Sequence, residues 1–196
     1  GIDALYYHQS DAIDAALHGQ DLCITSGTNS GKSLCYILPT MQWCIEEPIA
    51  RALYIYPTKA LAQDQLAKIS NWLPNNSIRV GVFDGDTPQK ERTVIRKLAN
   101  IVISNPDMLH VGILPNYENW IPFFKSLRCI VLDEIHTYRG VFGSHVAWVT
   151  RRLLRHCEAF GSRPQVIASR AAIQSPGELF ESLTGGQTGI VRLVGL

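Results

Sequence analysis

The sequence is short of net charge. Eighteen Lys and Arg residues face 17 Asp and Glu residues, a formal net charge of +1 over 196 residues. Charge balance alone therefore excludes a uniformly basic nucleic-acid surface, and any such contact must be a local patch. Cysteine is sparse and scattered. Cys23, Cys35, Cys44, Cys129 and Cys157 are odd in number and contain no C-x-x-C pair. This speaks against a disulfide frame or a zinc site and for reduced thiols in an intracellular protein, cytoplasmic or nuclear. No apolar run reaches the ~20 residues that span a bilayer, so no membrane partner is expected. Repeats, low-complexity tracts and linkers are also missing. The chain opens on "GIDALYYHQ", with neither Met nor a secretory signal, and reads as a piece of a longer protein.

What is present is apolar sequence cut into short segments. The chain is 46% hydrophobic, enough to build the core of one α/β domain over residues 1–196. Strand candidates are Asp21–Thr25, Arg51–Tyr56, Ile78–Phe83, Asn100–Ser104, Cys129–Asp133 and Gln165–Ser169. They are almost continuously apolar, which implies burial on both faces and hence a mainly parallel sheet covered by helices. Between them lie helical patterns over Asp11–Leu17, Lys32–Ile45, Ala60–Trp72, Pro88–Leu98, Ser144–Phe160 and Pro176–Leu183. The tail "TGGQTGIVRLVGL" reads as a turn and a last strand. Alternation of this kind predicts a doubly wound α/β sheet, whose ligands sit at the carboxyl ends of the strands.

The stretch "CITSGTNSGKSLCY" lies between the first strand and a helix. It fits G-x-x-x-x-G-K-[ST] at Gly31, Lys32 and Ser33, with Ser26 in the first position and Gly27 one residue later. Small residues let the backbone N–H groups of Gly27, Thr28, Asn29, Ser30 and Gly31 curl round phosphates, and the helix N-terminus adds positive charge. Lys32 can reach the β- and γ-phosphates, and the Ser33 hydroxyl can ligate Mg²⁺. The competing reading is a plain loop with a solvated lysine.

"RCIVLDEIHTYRG" ends a buried strand on Asp133 and Glu134. Two acids there are costly unless a cation joins them. With Mg²⁺ and ATP as cofactors, Asp133 would serve the metal and Glu134 would polarise the attacking water. Alternatively the pair starts a surface turn.

"TSGTNSGKS", "YPTKALAQDQ", "GDTP", "SNPDML" and "DEIH" occur in the order of superfamily 2 helicase motifs I, Ia, Ib, Ic and II, and "YYHQ" resembles the nucleobase-reading Q motif. "PTKALAQDQL", "NPDMLHVGILP" and "HTYRGVFGSHVA" are similar to the wording of MrfA/YprA-type DEAD/H-box DNA helicases and their RecQ-four-like fungal and plant relatives. The resemblance covers roughly residues 5–185. It implies the first of two RecA-like P-loop domains, with nucleotide in the cleft and single-stranded DNA across the top. It further implies 3′–5′ translocation and a role in DNA repair. Residue by residue, it implies that Gln9 reads adenine and that Lys32, Asp133 and Glu134 act on the nucleotide. His136 would couple nucleotide state to the strand. Thr58, Lys59, Gly85, Thr87, Asn105 and Asp107 would line the nucleic-acid track.

The residues themselves leave other roles open. The alternative for Lys59 is a solvated lysine at a helix start, and for Asp107 the cap of a short helix. His110, His145 and His156 read as surface or packing residues, and Trp43, Trp72 and Trp148 as core. Arg139, with aromatics beside it in Tyr138–Gly143, could grip or wedge nucleic acid, or the segment could close a loop over the core.

Two departures matter. The chain has no Q-x-x-G-R-x-G-R stretch, so the arginines of the second RecA-like domain are missing, and this domain alone is expected to be inactive. The family's Ser-Ala-Thr motif, aligned on "PQVIAS" and Pro176, falls on Arg170, Ala171 and Ala172. Both hydroxyls would then be lost, and Arg170 would either pair with an acid or turn to solvent.

Overall fold

In the computed structural model, residues 4–25, 27, 31–73, 77–171, 176–186 and 191–194 are described. Seven strands form one parallel sheet in the order β3-β4-β2-β5-β6-β1-β7. They are β1 (Asp21–Thr25), β2 (Arg51–Ile55), β3 (Val80–Val82), β4 (Ile101–Ser104), β5 (Leu127–Leu132), β6 (Gln165–Arg170) and β7 (Val191–Val194). The helices are α1 (Tyr7–Leu17), α2 (Leu34–Glu46), α3 (Lys59–Ser70), α4 (Gln89–Leu98), α5 (Pro106–Met108), α6 (Ile121–Lys125), α7 (Gly140–Ala159) and α8 (Pro176–Thr184).

The period of two along each strand divides the core into two layers. Leu53 and Ile55, Ile130 and Leu132, and Val166 and Ala168 face one layer, against α6, α7 and α8. Ala52 and Tyr54, Cys129 and Val131, and Ile167 face the other, against α1, α2 and α3. Both faces are covered, as the unbroken apolar strands required. All five cysteines are buried free thiols within these layers. Among the described residues no helix is long and apolar enough to cross a membrane.

Several boundaries and burials differ from expectation. α1 starts at Tyr7, because Gln9 Oε1 accepts the Tyr6 N–H at 2.9 Å and closes the first turn. α7 starts at Gly140, four residues early. Gly143 is what permits that turn, since a Cβ there would lie 2.5 Å from the Tyr138 carbonyl oxygen. β5 ends at Leu132, leaving Asp133 just past the strand. Trp43 is core, but Trp72 and Trp148 are exposed. A helical pattern fixes which residues share a face, and nothing in it says that every large apolar side chain must turn inward. The stretch 106–125 holds a run of short helical turns that apolar periodicity did not announce.

Candidate nucleotide and nucleic-acid site

The sheet order sorts the chemistry by position. The ends of β1, β6 and β5 are neighbours and carry the phosphate loop, Ser169 and the acids. The ends of β2, β4 and β3 are neighbours on the other side and carry Thr58–Lys59, Asn105–Asp107 and Gly85–Thr87. The chain reaches β2 from β1 by passing over β6 and β5, which makes the crevice between them a topological switch point.

At the end of β1, Gly31 has φ +74°, the left-handed region that glycine adopts without steric cost. The next residues enter α2 through the Leu34 N–H to Gly31 O bond (3.1 Å) and the Cys35 N–H to Lys32 O bond (3.0 Å). Lys32 folds back so that Nζ donates to Gly27 O at 3.2 Å. The lysine thus already bridges the two ends of the loop. Thr28, Asn29 and Ser30 lie outside the described residues. Gln9 reaches the same loop from α1: its Nε2 donates to Gly31 O at 3.2 Å while Oε1 holds Tyr6 N–H. One side-chain amide thus ties the start of α1 to the phosphate loop.

Asp133 is buried. Its carboxyl is pushed up to about 6, chiefly by burial, with a smaller push from Glu134 and opposing help from the Ser169 hydroxyl and Lys32. Ser169 Oγ donates to Asp133 Oδ1, and the Glu134 N–H donates to Ser169 Oγ at 3.4 Å. Glu134 has φ +51°, the one positive φ outside glycine among the described residues. Strained backbone of this kind gathers at functional sites. Its carboxylate lies 3.1 Å from His136 Nδ1, which also faces the Ala171 N–H at 3.3 Å. The same imidazole nitrogen serves one of these partners at a time: without a proton it accepts from the Ala171 N–H at the end of β6, and with one it donates to Glu134. Arg139 is exposed, its Nε donating to His136 O at 2.9 Å. Behind the acids, the Tyr36 and Tyr56 hydroxyls meet at 3.2 Å, and the Tyr36 hydroxyl also bonds the Ser33 side chain.

The motif III reading needs correction. Ser169 supplies one hydroxyl beside the acids, where both were expected to be lost; a motif read from Ser169 has Ala171 in its third place, so the second hydroxyl is still absent. Arg170 neither pairs with Asp133 nor turns to solvent. It is 2% exposed, its Nε donating to Ala171 O at 3.2 Å. Strand alternation explains this: Ser169 shares a face with Ile167, toward α2, whereas Arg170 shares the opposite face with Ala168 and Cys23. Ala172 lies outside the described residues.

On the β2–β4–β3 side, Thr58 Oγ1 caps α3 by accepting from Leu61 N at 3.3 Å. Lys59 pairs with Asp86 at 2.9 Å over Gly85, and that carboxylate holds the ammonium above the usual lysine range. A Cβ on Gly85 would approach Lys59 Nζ to 3.1 Å. Thr87 is buried and knots the turn, donating to Val82 O and accepting from Asp84 N. Asn105 caps α5 through its Oδ1 and Met108 N at 2.9 Å. The cap expected at Asp107 is thus Asn105, and Asp107 stands exposed in the first turn. Arg92, which the sequence reading passed over, bonds Thr87 O, Asp84 O and Gly85 O and lies over the Phe83 ring at 5.3 Å. Exposed Lys59 and Asp107 face outward, while Thr87 and Asn105 set the shape of the edge.

Comparison with known proteins agrees with this geometry. The family model described as DEAD/DEAH box helicase matches residues 6–176. The ATP-dependent helicase YprA of Bacillus subtilis is 49% identical over 94% of this chain, and the ATP-dependent helicase hrq1 of Schizosaccharomyces pombe 44% identical over 94%. The chain spans only 25% and 18% of their lengths. Among solved structures, the DUF1998 helicase MrfA bound to DNA superposes with a TM-score of 0.93 at 47% identity, covering all of this chain and 28% of MrfA. The DEAD-box helicase Mss116 superposes with a TM-score of 0.81 at 20% identity, over 98% of this chain and 40% of its own, a likeness of RecA-like fold alone.

Proposed function

Because this chain belongs to the DEAD/DEAH box helicase family, in the superfamily 2 group of YprA, Hrq1 and MrfA, we propose that it is the ATP-binding half of the motor of a DNA helicase. The observation that carries the reading is the convergence of three adjacent strand ends: the phosphate loop of β1, Ser169 of β6 and the acids after β5.

Mg²⁺ fits the residues present. Asp133 is a buried carboxylate held by a serine hydroxyl, and a divalent cation would relieve its burial cost. Ser33 and Asp133 would hold the ion, which would screen the phosphate oxygens. Lys32 would leave Gly27 O for the phosphates, and Gln9 would orient the base. Glu134, braced by His136, takes the proton of the attacking water at its carboxylate. His136 and the Ala171 N–H make motion of the acid turn felt at β6. MrfA was solved bound to DNA, which supports DNA as the nucleic acid; the resemblance makes it single-stranded, held by Lys59 and neighbouring turns through its backbone. Arginines of a second RecA-like domain complete hydrolysis, so the isolated domain turns over slowly. Direction 3′–5′, a role in DNA repair and an intracellular location follow the resemblance and the reduced thiols. A second reading is a catalytically weakened nucleic-acid-binding module of a larger assembly, which the loss of both hydroxyls after β6 would permit; Ser169 supplies one of them beside Asp133, and this favours the motor.

The test is ATPase activity of the full-length protein with single-stranded DNA, duplex DNA and RNA. Stimulation by single-stranded DNA, lost in Lys32→Ala together with binding of a fluorescent ATP analogue, is expected. Undiminished analogue affinity in a folded Lys32→Ala protein would refute it.

A further inference from the structure

The outer face of α7 carries side chains that the nucleotide site leaves unexplained. Its inner face is buried core, yet Val141 is 90% and Trp148 64% exposed. Val141, His145, Trp148, Arg152 and Arg155 follow spacings of four, three, four and three, and so form one stripe on the helix, about 21 Å long. Arg151 lies over the Trp148 ring, its guanidinium carbon 5.7 Å from the centroid. The only acid on α7 is Glu158, beyond the last of these arginines. The stripe is therefore aromatic and cationic together.

It is also continuous with the strand-end contacts. The His145 ring meets His110 edge to face, with centroids 4.7 Å apart. His110 follows Asp107 by three residues, and Val111 beside it is 64% exposed. One surface thus runs from the Asn105–Asp107 turn at the end of β4, across His110, onto α7.

We infer that this stripe carries single-stranded nucleic acid onward from the carboxyl edge of the sheet, with a base against Trp148 and phosphates at Arg152 and Arg155. The inference rests on the nucleic-acid reading under Proposed function. Base–aromatic stacking accepts any base, and guanidinium groups neutralise phosphates without reading sequence. Those are the properties a moving motor requires. An acidic protein surface could also meet the arginines, but it gives no reason for the continuity with the turn after β4.

The experiment uses full-length protein without nucleotide and two DNA strands, of about 5 and about 16 nucleotides. The short strand occupies the carboxyl edge alone. Trp148→Ala should weaken the long strand about 5- to 150-fold, Trp148→Phe should restore most of the affinity, and both variants should bind the short strand as wild type does. Arg152→Gln with Arg155→Gln should flatten the slope of log affinity against log salt by about 1.4 on the long strand. Trp148 is exposed, so its truncation leaves the core intact. Unchanged long-strand affinity would overturn the inference, and with altered protease sensitivity between domains it would assign the stripe to a protein contact. Equal losses on both strands would overturn it as well. Failure of wild type to bind either strand would remove the reading under Proposed function first, and this one with it.

Discussion

Replacing Asp133 by Asn should stabilise the metal-free protein while disabling it. The carboxyl sits buried at the end of β5, and burial lifts it from 3.8 to about 6. The folded state therefore holds this proton more tightly than the unfolded chain does. For an acid raised in this way, stability is fully present below about pH 4. It falls as pH rises toward 6, because there the unfolded chain ionises first and gains the advantage. That rise corresponds to about 3 kcal/mol of lost stability at pH 7.5. Asparagine keeps the shape and the oxygen that accepts from Ser169, and it carries no charge to bury. Asp133→Asn should thus gain on the order of 1–3 kcal/mol at pH 7.5 in chelator, and nothing at pH 3.5, where both side chains are neutral. Thermal unfolding across that pH range measures it, and Mg²⁺ with an ATP analogue should then stabilise wild type more than the variant. A variant equal to or less stable than wild type at pH 7.5 would refute the reading of Asp133 as an acid whose burial costs stability when it ionises.

Glu134→Gln should keep Mg²⁺–ATP binding and stall hydrolysis in the full-length protein, since the amide retains shape but accepts no proton from water. Wild-type steady-state turnover would move that role to another residue. Gly31→Ala should cost on the order of 1–2 kcal/mol for its left-handed backbone and sharply weaken nucleotide binding. The added methyl carbon would meet Gln9 Nε2 at 2.4 Å, and analogue titration beside thermal unfolding separates the two effects. Arg170→Ser should leave the Mg²⁺ dependence of ATP-analogue binding unchanged while lowering stability, because Arg170 faces away from Asp133. A shift in the Mg²⁺ midpoint would contradict that placement.

Much of the site was legible in the sequence because local chemistry fixes it. The alternation of short apolar runs with helical periods already determined a parallel, doubly covered sheet, and β1 spans the expected Asp21–Thr25. Gly31-Lys32-Ser33 after one strand and Asp133-Glu134 after another stand at the strand ends where the pattern put them. Strand order belongs to tertiary structure alone. Residues 133 and 169 are 36 apart in sequence, and only the pairing of β5 with β6 brings Ser169 onto Asp133. Side-chain direction was decided the same way. A shift of one residue exchanges the two faces of a strand, so the placement of Arg170 beside the acids failed on register, whereas its residue type was read correctly. The exposure of Trp148 depends on what packs against α7, and a helical spacing specifies a face without naming its neighbour. Sequence fixes which groups are available at each strand end; the order and register of the strands decide which of them meet.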